Sequence, residues 1–188
     1  MPDLEAARRT LLEELREHAL VIGEITLSSG RKAEYYVDAR RAMMRPRAFR
    51  AAGELIAAAA AEYRAEAVGG PTTGAIPLAC AAIGSPEGDD LVGFFVRSAR
   101  KEYGLQRWVE GAVDPGARCL VVEDTVTTGG STVTAIERVR EQGLEIVATL
   151  CLVDRLAGGG EAIERAAQAP FRALITIDEL YPERPDRD

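Results

Sequence analysis

The sequence is poor in the side chains that most often carry enzyme chemistry. Its 188 residues include one histidine, His18, and three cysteines, Cys80, Cys119 and Cys151. A histidine-rich metal centre is excluded, and a serine triad would have to rest on His18 alone. His18 falls on a first helix and reads as a surface or helix-end residue. The cysteines are odd in number, lie in apolar segments and form no CxxC, so they read as buried, inert thiols in a reducing compartment. Long apolar runs are missing too. Leu55 to Ala61 and Ile146 to Val153 fall well short of the roughly 20 residues of a membrane span. Asp3 and Glu5 sit where a signal peptide would be basic, so the expected location is cytoplasmic. Positive charge is in deficit, with 23 basic against 30 acidic residues and a net charge of −7. A general nucleic-acid-binding surface requires the opposite sign. Neither the phosphate loop GxxxxGK[ST] nor the dinucleotide fingerprint GxGxxG occurs.

What is present suits one domain over residues 1–188. A chain of this size buries roughly 70% of its unfolded surface and needs no staples. Hydrophobic residues make up 47% and charged residues 28%, an ordinary balance for a globular protein. Asp3 is a plausible N-cap for a helix over about 4–19, with Leu4, Ala7, Leu11 and Leu15 at helical spacing. Short strands at 25–27 and 35–37 flank the turn 28–31, and Pro46 opens an alanine-rich helix to about Arg64. Residues 1–45 thus read as an N-terminal helix and small hood, and 46–180 as a core. In the core, strands near 65–69, 91–96, 119–122, 146–153 and 173–177 alternate with helices at 75–83 and 131–142. Gly158-Gly159-Gly160 reads as a flexible turn. Unbroken apolar strands between helices predict an α/β fold with a parallel twisted sheet flanked by helices. Ligands of such sheets bind beyond the carboxyl ends of the strands. That directs attention to loops 70–74, 97–111, 123–131 and 154–160.

The segment from Leu120 to Ser131, LVVEDTVTTGGS, is the most informative. An apolar strand delivers Glu123 and Asp124 to its carboxyl end, and Thr125, Val126, Thr127, Thr128, Gly129, Gly130 and Ser131 lead into a helix. Backbone N–H groups of a glycine-rich loop entering a helix form an anion site, reinforced by the helix dipole. Paired carboxylates beside a phosphate make sense when the ligand also presents a diol, as a ribose 5-phosphate does. Basic residues gather in two places, Arg40 to Arg50 and Arg97 to Arg107. Each reads equally as a solvated face or as a site for a small anion.

The VVEDTVTTGGS string resembles the signature loop of the type I phosphoribosyltransferases, which bind 5-phosphoribosyl-1-diphosphate (PRPP). The resemblance implies that Glu123 and Asp124 hold the ribose hydroxyls and that Thr125 to Ser131 hold the 5-phosphate. Val68 to Gly74 is similar to the family's pyrophosphate loop, which would place Thr72, Thr73 and Gly74 against PRPP. Mg²⁺ would be held mainly by PRPP and water, with no protein metal cage. Three segments resemble the orotate phosphoribosyltransferases in particular. Thr26 to Asp38 is similar to the hood motif TLxSGxxSxYYxD, and Val153-Asp154-Arg155 to the strand end whose arginine meets orotate. By that likeness Ser28, Tyr35, Tyr36, Thr127 and Arg155 bind orotate. Arg97 to Gly104 occupies the place of the mobile catalytic loop, usually RKxxKxHG. Arg97, Lys101 and Gly104 match, whereas Ser98 and Tyr103 replace a lysine and a histidine. Arg97 and Lys101 would then be catalytic together with Glu123 and Asp124, and Arg97, Ser98, Lys101 and Tyr103 would face PRPP. The resemblance further implies a homodimer in which the mobile loop 97–111 completes the neighbouring site, with no nucleic-acid or membrane partner. The altered loop leaves two other readings open: transfer to another base such as a purine, or a PRPP-sensing regulatory protein of this fold without turnover.

Overall fold

The computed structural model describes residues 3–26, 32–99 and 107–187. Helix α1 (Leu4–His18) begins as its sequence dictates, with the Asp3 carboxylate accepting from the Ala6 backbone N–H at 3.0 Å. Strands β1 (Leu20–Thr26) and β2 (Lys32–Val37) pair as a separate antiparallel ribbon, longer than its apolar residues alone suggest. A short helix α2 (Ala39–Met43) that the sequence did not announce leads to α3 (Pro46–Glu62), with Pro46 in its first turn. The core then runs β3 (Ala67–Pro71), α4 (Ala75–Ile83), β4 (Val92–Val96), β5 (Val109–Gly111), β6 (Arg118–Val126), α5 (Gly130–Glu141), β7 (Glu145–Asp154), α6 (Gly159–Ala167), β8 (Phe171–Thr176) and α7 (Ile177–Leu180).

The six-stranded sheet has the order β5-β4-β3-β6-β7-β8. The five strands expected from the sequence pair in parallel, as the strand pattern suggested, and the additional edge strand β5 pairs antiparallel with β4. Sequence order reverses between β3 and β6, and their carboxyl ends part there to leave a crevice. Strand β6 explains why its sequence is an unbroken apolar run. Leu120 and Val122 enter the core shared with α3 and α4, whereas Cys119 and Val121 enter the one beneath α5. Helix α1 lies against α3 and buries Leu11 and Leu15 completely, a contribution of about 1.5–3 kcal/mol each.

Three expectations require correction. Residues 109–111 are strand, and the Arg97 N–H donates to the Trp108 carbonyl at 2.9 Å, so the proposed loop 97–111 is held at both stems. Gly158 to Gly160 is no mere flexible turn. Gly158 takes φ +81° at the start of α6, and a side chain on Gly159 would collide with the Thr127 carbonyl. Its glycines therefore let α6 approach the β6–α5 loop. Cys119 and Cys151 are buried, with burial pushing the Cys119 thiol up to about 12, but Cys80 is exposed because α4 turns that face outward.

Candidate active site

The crevice between β3 and β6 opens into a pocket of about 310 Å³. Its walls come from four places in the chain: Tyr36 to Arg40, Pro71 to Gly74, the β6–α5 turn with Glu123, Asp124, Thr125, Thr127 and Ser131, and Arg155 after β7. Another groove, of about 280 Å³, is lined by Arg107, Asp114 and Glu141. It sits at the opposite, amino-terminal ends of β6 and β7, away from these converging polar groups.

Glu123 is 5% exposed and is the most heavily bonded side chain of the site. It accepts from Thr132 Oγ1 at 2.9 Å, from Ser131 Oγ at 3.1 Å and from the Asp124 backbone N–H at 3.2 Å. Ser131 thus does not cap α5; Gly129, at φ +78°, occupies the N-cap position and leaves the helix's first N–H groups without a side-chain partner. Burial, with the adjacent Asp124 charge, pushes the Glu123 carboxyl up to about 7. Burial also raises Asp124, although its carboxylate accepts from the Thr125 N–H at 2.7 Å. A buried and a half-buried carboxylate therefore stand side by side. Arg40 lies close enough to favour the ionised Asp124, while its own Nε donates to Asp38 at 2.9 Å. Gly74 leaves room for the Asp124 carboxylate, which a Cβ at that position would force to shift. Thr125 Oγ1 is buried with no partner among the described residues, a free hydroxyl on the pocket wall.

The other end of the pocket is built differently. Arg155 follows β7, and its backbone N–H donates to the Val126 carbonyl at 2.9 Å. Its guanidinium carbon stands 4.8 Å from the centre of the Tyr35 ring. Alternation along β2 separates the two tyrosines. Tyr36 lines the pocket, whereas Tyr35 is 4% exposed and lies behind Arg155.

Residues 46–167 match the family model described as the phosphoribosyl transferase domain. The chain is 46% identical over 174 residues to the orotate phosphoribosyltransferase of Corynebacterium glutamicum, covering 93% of this chain and 94% of that one. The chain belongs to the orotate phosphoribosyltransferase family. The orotate phosphoribosyltransferase of Mycobacterium tuberculosis, solved with Fe(III) dicitrate, superposes with a TM-score of 0.84 at 42% identity, covering 93% of this chain and 99% of that one. The same enzyme solved with PRPP gives a TM-score of 0.79 at 39% identity, with 93% and 98% covered. An adenine phosphoribosyl transferase from Trypanosoma brucei, at 14% identity and a TM-score of 0.68, shares the fold alone.

Set against the orotate phosphoribosyltransferase motifs, the structure gathers Thr72, Thr73, Gly74, Glu123, Asp124, Thr125, Thr127, Ser131, Tyr36 and Arg155 around one pocket. Val126 is buried beneath it, and Thr128, Gly129 and Gly130 shape the turn without lining it. Tyr35 is displaced from the wall for the reason given. Arg97 and Ser98 do not line it either: the Arg97 side chain turns to Glu110 on β5 at 3.4 Å, and the Ser98 carbonyl faces Arg138. Ser28, Lys101 and Tyr103 lie outside the described residues. Sequence reasoning missed Asp38, Arg40 and Thr132. Asp38 ends the YYVD string and Arg40 belongs to the basic cluster, so both carried a signal. Thr132 carried none, because its role depends on how α5 leaves the turn. The basic cluster itself divides: Arg40 reaches the pocket, whereas Arg45 and Arg47 pair with the buried Glu14.

Proposed function

We infer that this chain transfers the phosphoribosyl group of PRPP to orotate, forming orotidine 5′-monophosphate and diphosphate in pyrimidine nucleotide synthesis. The observation that carries the reading is the polarity of the pocket. A buried carboxylate, Glu123, a half-buried one, Asp124, and a helix N-terminus share the pocket with a guanidinium. We assign the ribose hydroxyls of PRPP to Glu123 and Asp124, to which they donate. The 5-phosphate is assigned to the N–H groups and hydroxyls from Thr125 to Ser131. Thr72, Thr73 and Gly74 face the diphosphate. Arg155 receives the orotate carboxylate with the planar fork of its guanidinium, and Thr127 and Tyr36 border the ring.

Displacement at the anomeric carbon passes through an oxocarbenium-like state. The base attacks, the bond to diphosphate breaks, and positive charge grows on the ribose ring. Such a step demands orientation and charge stabilisation and no protein nucleophile, which accords with the scarcity of histidine. The ionised carboxylates hold the ribose in register and favour the growing ring charge. Mg²⁺ would be held mainly by PRPP and water, with the hard carboxylate oxygens of the site beside it. Asp124 is the residue assigned to face it, and the ion would neutralise diphosphate as it leaves. The same reading takes the enzyme as a cytoplasmic homodimer in which segment 97–111 completes the neighbouring site. The turning of Arg97 away from its own pocket accords with that, and sedimentation velocity reads the oligomeric state directly.

A diphosphate-release assay with PRPP, Mg²⁺ and a panel of bases tests the reading. Release with orotate alone is expected. Release with purines, or none with any base, would overturn it.

A further inference from the structure

Residues 177–187 fold back against the hood, although the Asp186 side chain is itself 57% exposed. Helix α7 is fixed by a reciprocal cap: Glu179 accepts from the Thr176 N–H and hydroxyl, both at 2.9 Å, while its own N–H donates to Thr176 Oγ1. Glu179 also pairs with Arg8, which ties α7 to α1. Beyond it, Tyr181 packs edge-on against Tyr35, with ring centres 5.4 Å apart at 82°. Arg184 is 11% exposed. It pairs with Asp178 and, through Nε at 3.1 Å, with Asp186. Asp186 in turn accepts from the Tyr35 hydroxyl, at 3.0 and 3.1 Å to its two oxygens.

These contacts converge on one ring. Tyr35 is buried, with Tyr181 on its side, Asp186 on its hydroxyl and the Arg155 guanidinium over its face. The phenol, ordinarily titrating near 10 and raised further by burial, is protonated at neutral pH, so its hydroxyl is a donor and Asp186 is its acceptor. A guanidinium over an aromatic face is held by the ring's negative quadrupole and keeps its N–H edge free. Ring orientation therefore sets the direction in which Arg155 presents its fork to the pocket. Without Asp186 the ring would keep the Tyr181 edge contact and the Arg155 guanidinium but lose the carboxylate that accepts from its hydroxyl.

We propose that Asp186, acting through the Tyr35 hydroxyl, is a positioning residue that fixes Arg155 for the orotate carboxylate, so that the C-terminal tail tunes affinity for the base. The proposal rests on the assignment of Arg155 to orotate made above. Asp186 touches no substrate under it. The tail acts on one substrate and leaves the other alone, because among the described residues the carboxylates and threonine turn assigned to PRPP form no hydrogen bond or ion pair with it.

Steady-state kinetics on the full chain tests this, with thermal melting as a check on folding. Asp186→Ala should raise the KM for orotate about three- to tenfold and leave the KM for PRPP within about twofold. Tyr35→Phe keeps the ring and removes the donor, and should reproduce that change. The double variant should be no worse than either single one, since both break one link. Asp186→Asn, whose amide oxygen can still accept from the hydroxyl, should restore most of the affinity. An unchanged KM for orotate in Asp186→Ala, or equal changes for both substrates, would overturn the proposal. Arg155→Ala, measured alongside, separates the two levels. If it weakens orotate and Asp186→Ala does not, the relay alone fails. If it leaves orotate unaffected, the assignment of Arg155 falls and the relay with it.

Discussion

The two ends of the pocket are made in contrasting ways. The carboxylate end comes from one continuous stretch, Glu123 to Thr132, in which a strand, a turn and a helix start place every group within nine residues of Glu123. The guanidinium end is assembled from three distant segments: β2 supplies Tyr35, the end of β7 supplies Arg155, and the C-terminal tail supplies Asp186. Local construction makes the first end stiff and self-contained. Assembly from afar makes the second dependent on how the hood ribbon and the tail dock.

The largest effect should come from breaking the local end. Glu123→Ala/Asp124→Ala removes both carboxylates that the proposed function assigns to the ribose hydroxyls. With each charge-assisted hydrogen bond contributing roughly 1.5–3 kcal/mol, kcat/KM for PRPP should fall by about a thousandfold or more. Steady-state rates near those of the unaltered chain would remove the carboxylates from the site. A smaller and more selective loss is expected at the assembled end. Arg155→Ala should raise the KM for orotate about ten- to a hundredfold, as loss of a cation from a buried carboxylate does. Comparable losses for both substrates would mean that the two ends are not separable.

The smallest effect concerns stability and sharpens what local construction costs. Glu123 carries a carboxyl pushed up to about 7 from an ordinary value near 4.5. A carboxyl raised on folding favours the folded state below its unfolded value, and that advantage is lost as pH rises through the folded one. Between about pH 4.5 and 7 the ligand-free protein should lose stability from this group. Glu123→Gln, which keeps an acceptor for Ser131 and Thr132 without the charge, should be more stable above pH 7 by about 1–3 kcal/mol and nearly equal at pH 4.5. Urea melts at the two pH values measure it. An equal difference at both would show that the charge is not the cause.

The same contrast explains what was legible in the sequence. The β6–α5 turn could be read because its chemistry is written in consecutive residues, and the apolar alternation of strand and helix located the sheet around it. Asp3 and Pro46 marked helix starts because caps are local. The edge strand β5 was not legible: three residues carry little periodic signal, and only pairing with β4 makes them a strand. The separation of Tyr35 from Tyr36 follows from strand alternation, but which of them faces the pocket depends on how the ribbon sits on the core. Gly158 to Gly160 looked like slack, whereas Gly159 is needed for the approach of α6 to the site turn. The tail gave no signal, since a tyrosine, two arginines and an aspartate near a terminus resemble any solvated end.

The separateness of the two ends is most directly tested by calorimetric titration of PRPP into Asp124→Ala and Arg155→Ala under one set of conditions. Asp124→Ala should bind about ten- to a hundredfold more weakly than the unaltered chain, and Arg155→Ala should bind within about twofold of it. PRPP binding weakened equally by both substitutions, or weakened by Arg155→Ala alone, would contradict the account.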